Sequence, residues 1–153
     1  MQKAEGEKGT LKKQLIQSQK ELLEASNLKI RKTINEKDLL ELSLKKSDIY
    51  QLFHEAVNRE EITLSEEHWK ELQQIIDITY NNFTKQLYAL CPQISEHELR
   101  ICYLIKISIS IKGISQTLIR STSAISNSRV RLYKKIHGEG GTADMFDKFI
   151  LDL

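Results

Sequence analysis

The chain has 153 residues, 40% of them apolar and 29% charged. That is one domain's length, or one small domain with an appendage, and its composition is neither disordered nor collagen-like. A net charge of +2 names no partner, two cysteines cannot build a disulfide framework, and neither the polar start MQKAEGEKGT nor the short apolar run 101–111, which contains Lys106, reads as a signal peptide or a membrane span.

A single proline, Pro92, and six glycines punctuate the chain. Gly138, Gly140 and Gly141 crowd into one short stretch, and two more glycines lie in the first nine residues. With so few breakers the chain reads as all-α. Cys91 and Cys102 without partners suit a reducing, cytoplasmic setting.

Residues 1–10 are small and charged and read as disordered. From 11 to 57 nothing breaks a helix. Ile16, Leu23, Ile30, Lys37 and Leu44 recur every seven residues, with Leu15, Leu22, Ile34 and Leu40 beside them. Gln19, Ser26 and Thr33 weaken the second seam, so the heptad is imperfect. A long helix needs a partner for its apolar stripe. Either two copies pair as a coiled coil, or the helix folds back on the rest of the chain. Its end, with Ile49, Tyr50, Leu52, Phe53 and Val57, is richer in large apolar groups and suits packing on a globular part.

After a break at 58–64, Ser65 reads as an N-cap with Glu66 and Glu67 in the first turn. Trp69, Leu72, Ile76, Tyr80, Phe83 and Leu87 then form one apolar stripe, which predicts a single connecting helix over 65–90 that ends before Pro92. Core packing explains these aromatics better than a ligand site does.

Ser95-Glu96-His97-Glu98 has the form of a capping box. The helix that it opens is apolar nearly all round and should be the buried hub. Ser110 can cap a short helix bearing Ile111, Ile114 and Leu118. Ser121 can cap a third helix with Ile125, Leu132 and Ile136 facing inward and Gly138 as its C-cap. Thr142 can cap a last helix with Phe146, Phe149, Ile150 and Leu153 on one stripe.

Charge is distributed unevenly. Residues 111–137 contain Lys112, Arg120, Arg129, Arg131, Lys134 and Lys135 and no Asp or Glu, hence +6. The other 126 residues hold 17 basic and 21 acidic groups, hence −4. Three short helices with a tight connection before a basic third helix form the arrangement of a helix-turn-helix, whose last helix enters the major groove of DNA.

The residues Ile94-Ser95-Glu96-His97-Glu98-Leu99, Ile111-Lys112-Gly113-Ile114-Ser115, Leu118, Ser121-Thr122-Ser123-Ala124-Ile125 and Lys134-Lys135-Ile136 resemble the LuxR-type helix-turn-helix. Residues 69–153, about half the chain, are similar to the C-terminal region of Bacteroidetes tetratricopeptide and sensor transcriptional regulators. There a comparable aromatic helix precedes segments like SEHELRICYLIKI and SAISNSRVRLYKKIHG. The residues themselves give an all-α chain with a long N-terminal helix over 11–57 and a connecting helix over 65–90; the resemblance implies that 94–153 is a DNA-binding domain and that 11–57 looks like the coil that precedes it in such regulators. It also implies a cytoplasmic C-terminal piece of a larger regulator, one that is tethered to the inner membrane in some family members.

Two departures stand out. Gly113 and Ser115 occupy the places of the family's glutamate and alanine, and a helical glycine costs about 1 kcal/mol relative to alanine. Arg129 takes an inward apolar position, where it either pairs with a core-side carboxylate such as Glu98 or turns toward DNA. Asn127, Val130 and Arg131 lie on the face opposite Ile125 and Leu132 and are candidates for base edges, with Ser126 beside them. Lys112, Arg120, Ser121, Ser123, Lys134 and Lys135 are better placed for phosphates.

Double-stranded DNA and a second copy of the chain, paired through 11–57, are the expected partners. No cofactor, metal, small-molecule substrate or enzymatic activity is expected. His54, His68, His97 and His137 are scattered. Cys91, His97 and Cys102 have no zinc spacing. The 138–141 loop lacks the lysine and preceding strand of a phosphate cradle. Glu60-Glu61 and Glu66-Glu67 sit at helix starts, where capping explains them. The competing reading is a helical interaction domain that keeps the fold and binds no DNA.

Overall fold

The computed structural model describes the backbone of residues 2–153 and the side chains of 9–32 and 35–153. Eight α-helices and no strand are found among the described residues. The chain divides into two compact units, one ending at Leu39 and one spanning Leu40–Leu153.

Helix α1 (Gln2–Lys46) supplies every described residue of the first unit. It starts well before Leu11, so residues 2–10, which the sequence reads as disordered, continue the helix. Ala4, Glu5, Glu7 and Lys8 are good helix formers, and the lack of apolar groups there bears on packing rather than on helicity. Leu11, Leu15, Ile16, Leu22, Leu23 and Ile30 are all exposed along α1. The helix does not run on to Val57 as the unbroken pattern predicts. Ser47 turns extended, donates to the Leu44 carbonyl at 2.6 Å and accepts from the Tyr50 amide at 3.3 Å. It thereby caps a separate helix, α2 (Asp48–Ala56), which buries Ile49 and Phe53.

The single helix expected over 65–90 is two helices. Ser65 caps α3 (Glu66–Thr79) in a reciprocal box with His68, but α3 ends there and α4 (Phe83–Leu90) follows. Asn81 and Asn82 adopt φ of 51° and 58°, a left-handed conformation that asparagine tolerates. Asp77 fastens the corner, accepting from the Thr84 amide and hydroxyl, each at 2.8 Å. The apolar spacing of three and four runs through this corner unbroken, so periodicity alone cannot see it.

The capping box of α5 (Glu96–Lys106) forms as read, with Ser95 and Glu98 exchanging bonds of 3.0 and 3.1 Å. Leu99 and every residue from Ile101 to Lys106 are buried. Helix α5 is the hub: it packs on α3, on α7 (Thr122–His137) and on α8 (Ala143–Asp152). Short α6 (Ile111–Leu118) packs on α7, and α8 lies along α7. Ser110, Ser121 and Thr142 each cap their helix through a side-chain oxygen. Gly138 ends α7 with φ 75°, the left-handed cap that favours glycine.

Gly113 has a packing reason that helix propensity hides. A Cβ there would lie 2.7 Å from an Ile109 methyl and 2.9 Å from a Val57 methyl. Gly113→Ala is therefore expected to destabilise the fold by about 1–2 kcal/mol through overpacking, outweighing the gain of up to ~1 kcal/mol that propensity offers. Urea unfolding of the variant measures the sign directly, and a gain in stability would contradict the close approach of α6 to Val57.

Candidate nucleic-acid interface

Helices α6 and α7 are joined by Ile119, Arg120 and Ser121 alone. The connection is closed by backbone and side chain together. The Arg120 amide donates to the Ser115 carbonyl at 3.0 Å, and the Ser115 hydroxyl donates to the Arg120 carbonyl. Ser115 thus holds the turn through its backbone carbonyl and its hydroxyl together. Ile119 at its tip has φ 54° and is 89% exposed, an unusual conformation for a β-branched residue.

The two faces of α7 are chemically distinct. Ile125, Ser128, Arg129 and Leu132 are buried. Ser123, Asn127, Val130, Arg131 and Lys134, at steps of four, three, one and three, lie exposed along the other side. No acidic residue occurs on α7 or on the turn before it.

Each expected contact residue has a definite place. Lys112 is exposed on the first turn of α6, and Arg120 is exposed on the connection. Ser121 is the N-cap of α7 and accepts from the Ala124 amide at 3.1 Å. Ser126 is half-buried, 3.5 Å from an Arg129 nitrogen. Arg131 donates to Ser128 at 3.2 Å and remains exposed. Lys135 lies 3.5 Å from Glu98.

Arg129 is paired, but not with Glu98. It points inward, 3% exposed, and its guanidinium grips both carboxylate oxygens of Asp147 on α8, with Asp144 at 3.7 Å. Glu98 meets Lys135 instead. Of the six cations in the basic window, Arg129 and Lys135 therefore take internal partners. Lys112, Arg120, Arg131 and Lys134 make no ion pair among the described residues.

Residues outside the basic window join the same surface. The His97 pKa is lowered by burial first, then by Arg120 and with smaller effects from Arg100 and Arg131, against an upward pull from Glu98. The N-terminal end of α5 thus lies within electrostatic reach of the turn and of α7. Arg100 is held by Glu66 at 2.7 Å and Glu96 at 2.9 Å. Sequence spacing offers no signal that brings Arg100 or His97 to Arg120, because the meeting is tertiary.

Cys91 and Cys102 are buried free thiols, and burial pushes the Cys102 pKa far up, so it is an unreactive core group. No cluster of three or more potential metal ligands occurs among the described residues. No described helix is long and apolar enough to cross a membrane. No protein-family model, no curated protein and no solved structure matches the chain.

Proposed function

We propose that this chain is a DNA-binding transcriptional regulator module with a LuxR-type helix-turn-helix, the cytoplasmic C-terminal part of a larger sensor or regulator. Helix α7 is the reading helix, α6 and α5 brace it, and α8 supports its back. The observation that carries this reading is the exposed, acid-free face of α7 with Asn127, Arg131 and Lys134 in one row. Asn127 suits an adenine edge and Arg131 a guanine edge or a phosphate, while Lys112, Arg120 and Lys134 suit phosphates. The exposed apolar stripe of α1 suits a two-stranded coiled coil with a second copy. Such a dimer would set two reading helices about one DNA turn apart, ~34 Å, on a pseudo-palindromic site. The polar Gln19, Ser26 and Lys37 within that stripe suit a coil whose register an upstream signal could change. Cross-linking that returns only monomer at every concentration removes the dimer from this reading.

Fluorescence anisotropy with random and A·T-rich duplexes, titrated against salt, tests the DNA reading. Four phosphate-neutralising cations predict a slope of log K against log salt of about −3 to −4 per protomer. An Arg131→Ala/Lys134→Ala double variant is expected to flatten that slope by about 2. The second reading, a protein-interaction domain, draws on the internal pairing of Arg129 and Lys135 and on Ile119, an apolar side chain fully displayed at the turn. Absence of binding by the unaltered protein at low salt would favour it.

A further inference from the structure

The segment after α2, the start of α3, the first turns of α5 and helix α6 border an open cleft of about 1030 Å³, about the largest size usual for small-ligand sites. Four cations line it, Arg59, Arg100, Lys112 and Arg120, against two carboxylates, Glu60 and Glu96. Arg100 is already committed. It binds Glu96 at 2.9 Å and lies 4.6 Å from the centre of the Trp69 ring, which also lines the cleft. Arg59, Lys112 and Arg120 make no ion pair among the described residues, so the cleft lining holds three uncommitted cations and one uncommitted carboxylate, Glu60. Its wall carries a second oddity. The Thr117 hydroxyl is buried and has no hydrogen-bond partner among the described residues, a costly arrangement. Val57, Leu64 and Leu118 supply apolar wall, so the cleft offers both charge and a place for an organic body.

We propose that this cleft binds a compact organic polyanion, a small molecule carrying two or more phosphate or carboxylate charges, held by Arg59, Lys112 and Arg120. Guanidinium forks suit either group. The cleft contains no residue of α7, but it shares Lys112 and Arg120 with the proposed phosphate contacts.

Trp69 is the sole tryptophan of the chain and lies in the cleft wall, so its emission reports on this site. Pyrophosphate and citrate are titrated into the full chain, each at constant ionic strength. A saturable change in emission is expected with at least one probe, and the two arms separate a phosphate ligand from a carboxylate one. Arg59→Gln and Lys112→Gln are each expected to weaken binding tenfold or more. Lys148→Gln, exposed on α8 and outside the cleft, is expected to leave it unchanged. Arg59 is exposed, so its loss should spare the fold, and Lys112→Gln gives a second, independent reading. A linear, unsaturable response to both probes would overturn the proposal. So would equal affinity in the unaltered protein and both cleft variants, or equal weakening in Lys148→Gln. The titration contains no DNA, so its failure and failure of the DNA reading are distinct results.

Discussion

Asp147→Ala is expected to lower the unfolding free energy by about 3–5 kcal/mol, which is the usual cost of leaving one member of a buried ion pair alone. Arg129 is 3% exposed, so its guanidinium cannot reach water without moving α7 or α8. Asp147 meets it in a two-pronged grip, and Ser126 adds only a long 3.5 Å contact. Asp144 lies 3.7 Å away but is fully exposed, so it is a weak substitute and places the result toward the lower end of that range. For a chain of this size the loss corresponds to a fall in melting temperature of about 10 °C. Replacing both partners, Arg129→Met with Asp147→Leu, should recover most of the stability, because two desolvated charges are then removed together. Calorimetry of the single and double variants decides the matter. A single variant within about 1 kcal/mol of the unaltered protein would mean that Arg129 finds another partner or water. The pair ties α8 to the back of α7, so the single variant should also weaken any function that depends on a rigid α7.

Lys106→Met is expected to cost about 2 kcal/mol, the scale of charge-assisted hydrogen bonds less the desolvation that removing a buried cation relieves. Lys106 is 5% exposed near the end of the hub helix. Its ammonium donates to the carbonyls of Ile150 at 3.2 Å and Leu151 at 2.9 Å, the last turn of α8. A positive charge there also meets the negative end of the helix dipole. The faces of Tyr80 and Phe83 lie 4.1 and 5.5 Å from the nitrogen, adding cation–π attraction of about 1 kcal/mol. Methionine keeps most of the volume, so the comparison isolates the charge. Lys106→Ala should cost roughly 1–2 kcal/mol more, because it also opens a cavity. Urea titrations of both variants give the two differences. A methionine variant as stable as the lysine would show that the charge contributes nothing net to anchoring α8.

These two residues mark where reading the sequence stops. The inward position of Arg129 was legible from its place one turn after Ile125. Its partner was not: a core-side carboxylate such as Glu98, or a turn toward DNA, was the expectation, yet Asp147 meets it and Glu98 turns to Lys135. Spacing within a helix decides which way a side chain points. Which carboxylate waits there depends on how three helices cross. The helix breaks at Ser47 and at Asn81-Asn82 had local signals, a cap residue and a pair tolerant of left-handed geometry. They were overridden because the apolar spacing continued across them.

The candidate interface divides in the same way. The row from Ser123 to Lys134 lies on one helix, so its composition and its exposed face follow from sequence and a period of 3.6. The cleft was invisible, since Arg59, Trp69, Arg100 and Arg120 come from four separate segments. By itself the sequence determined the all-α class, the caps that start α3 and α5–α8, the buried hub and the basic face of α7. These rest on short-range rules, in which each residue answers to neighbours within about four positions. Only the tertiary structure decided which charges are spent inside, why Gly113 must be glycine, and where the uncommitted cations gather. Those outcomes depend on distances between helices far apart in the chain, which no local pattern encodes.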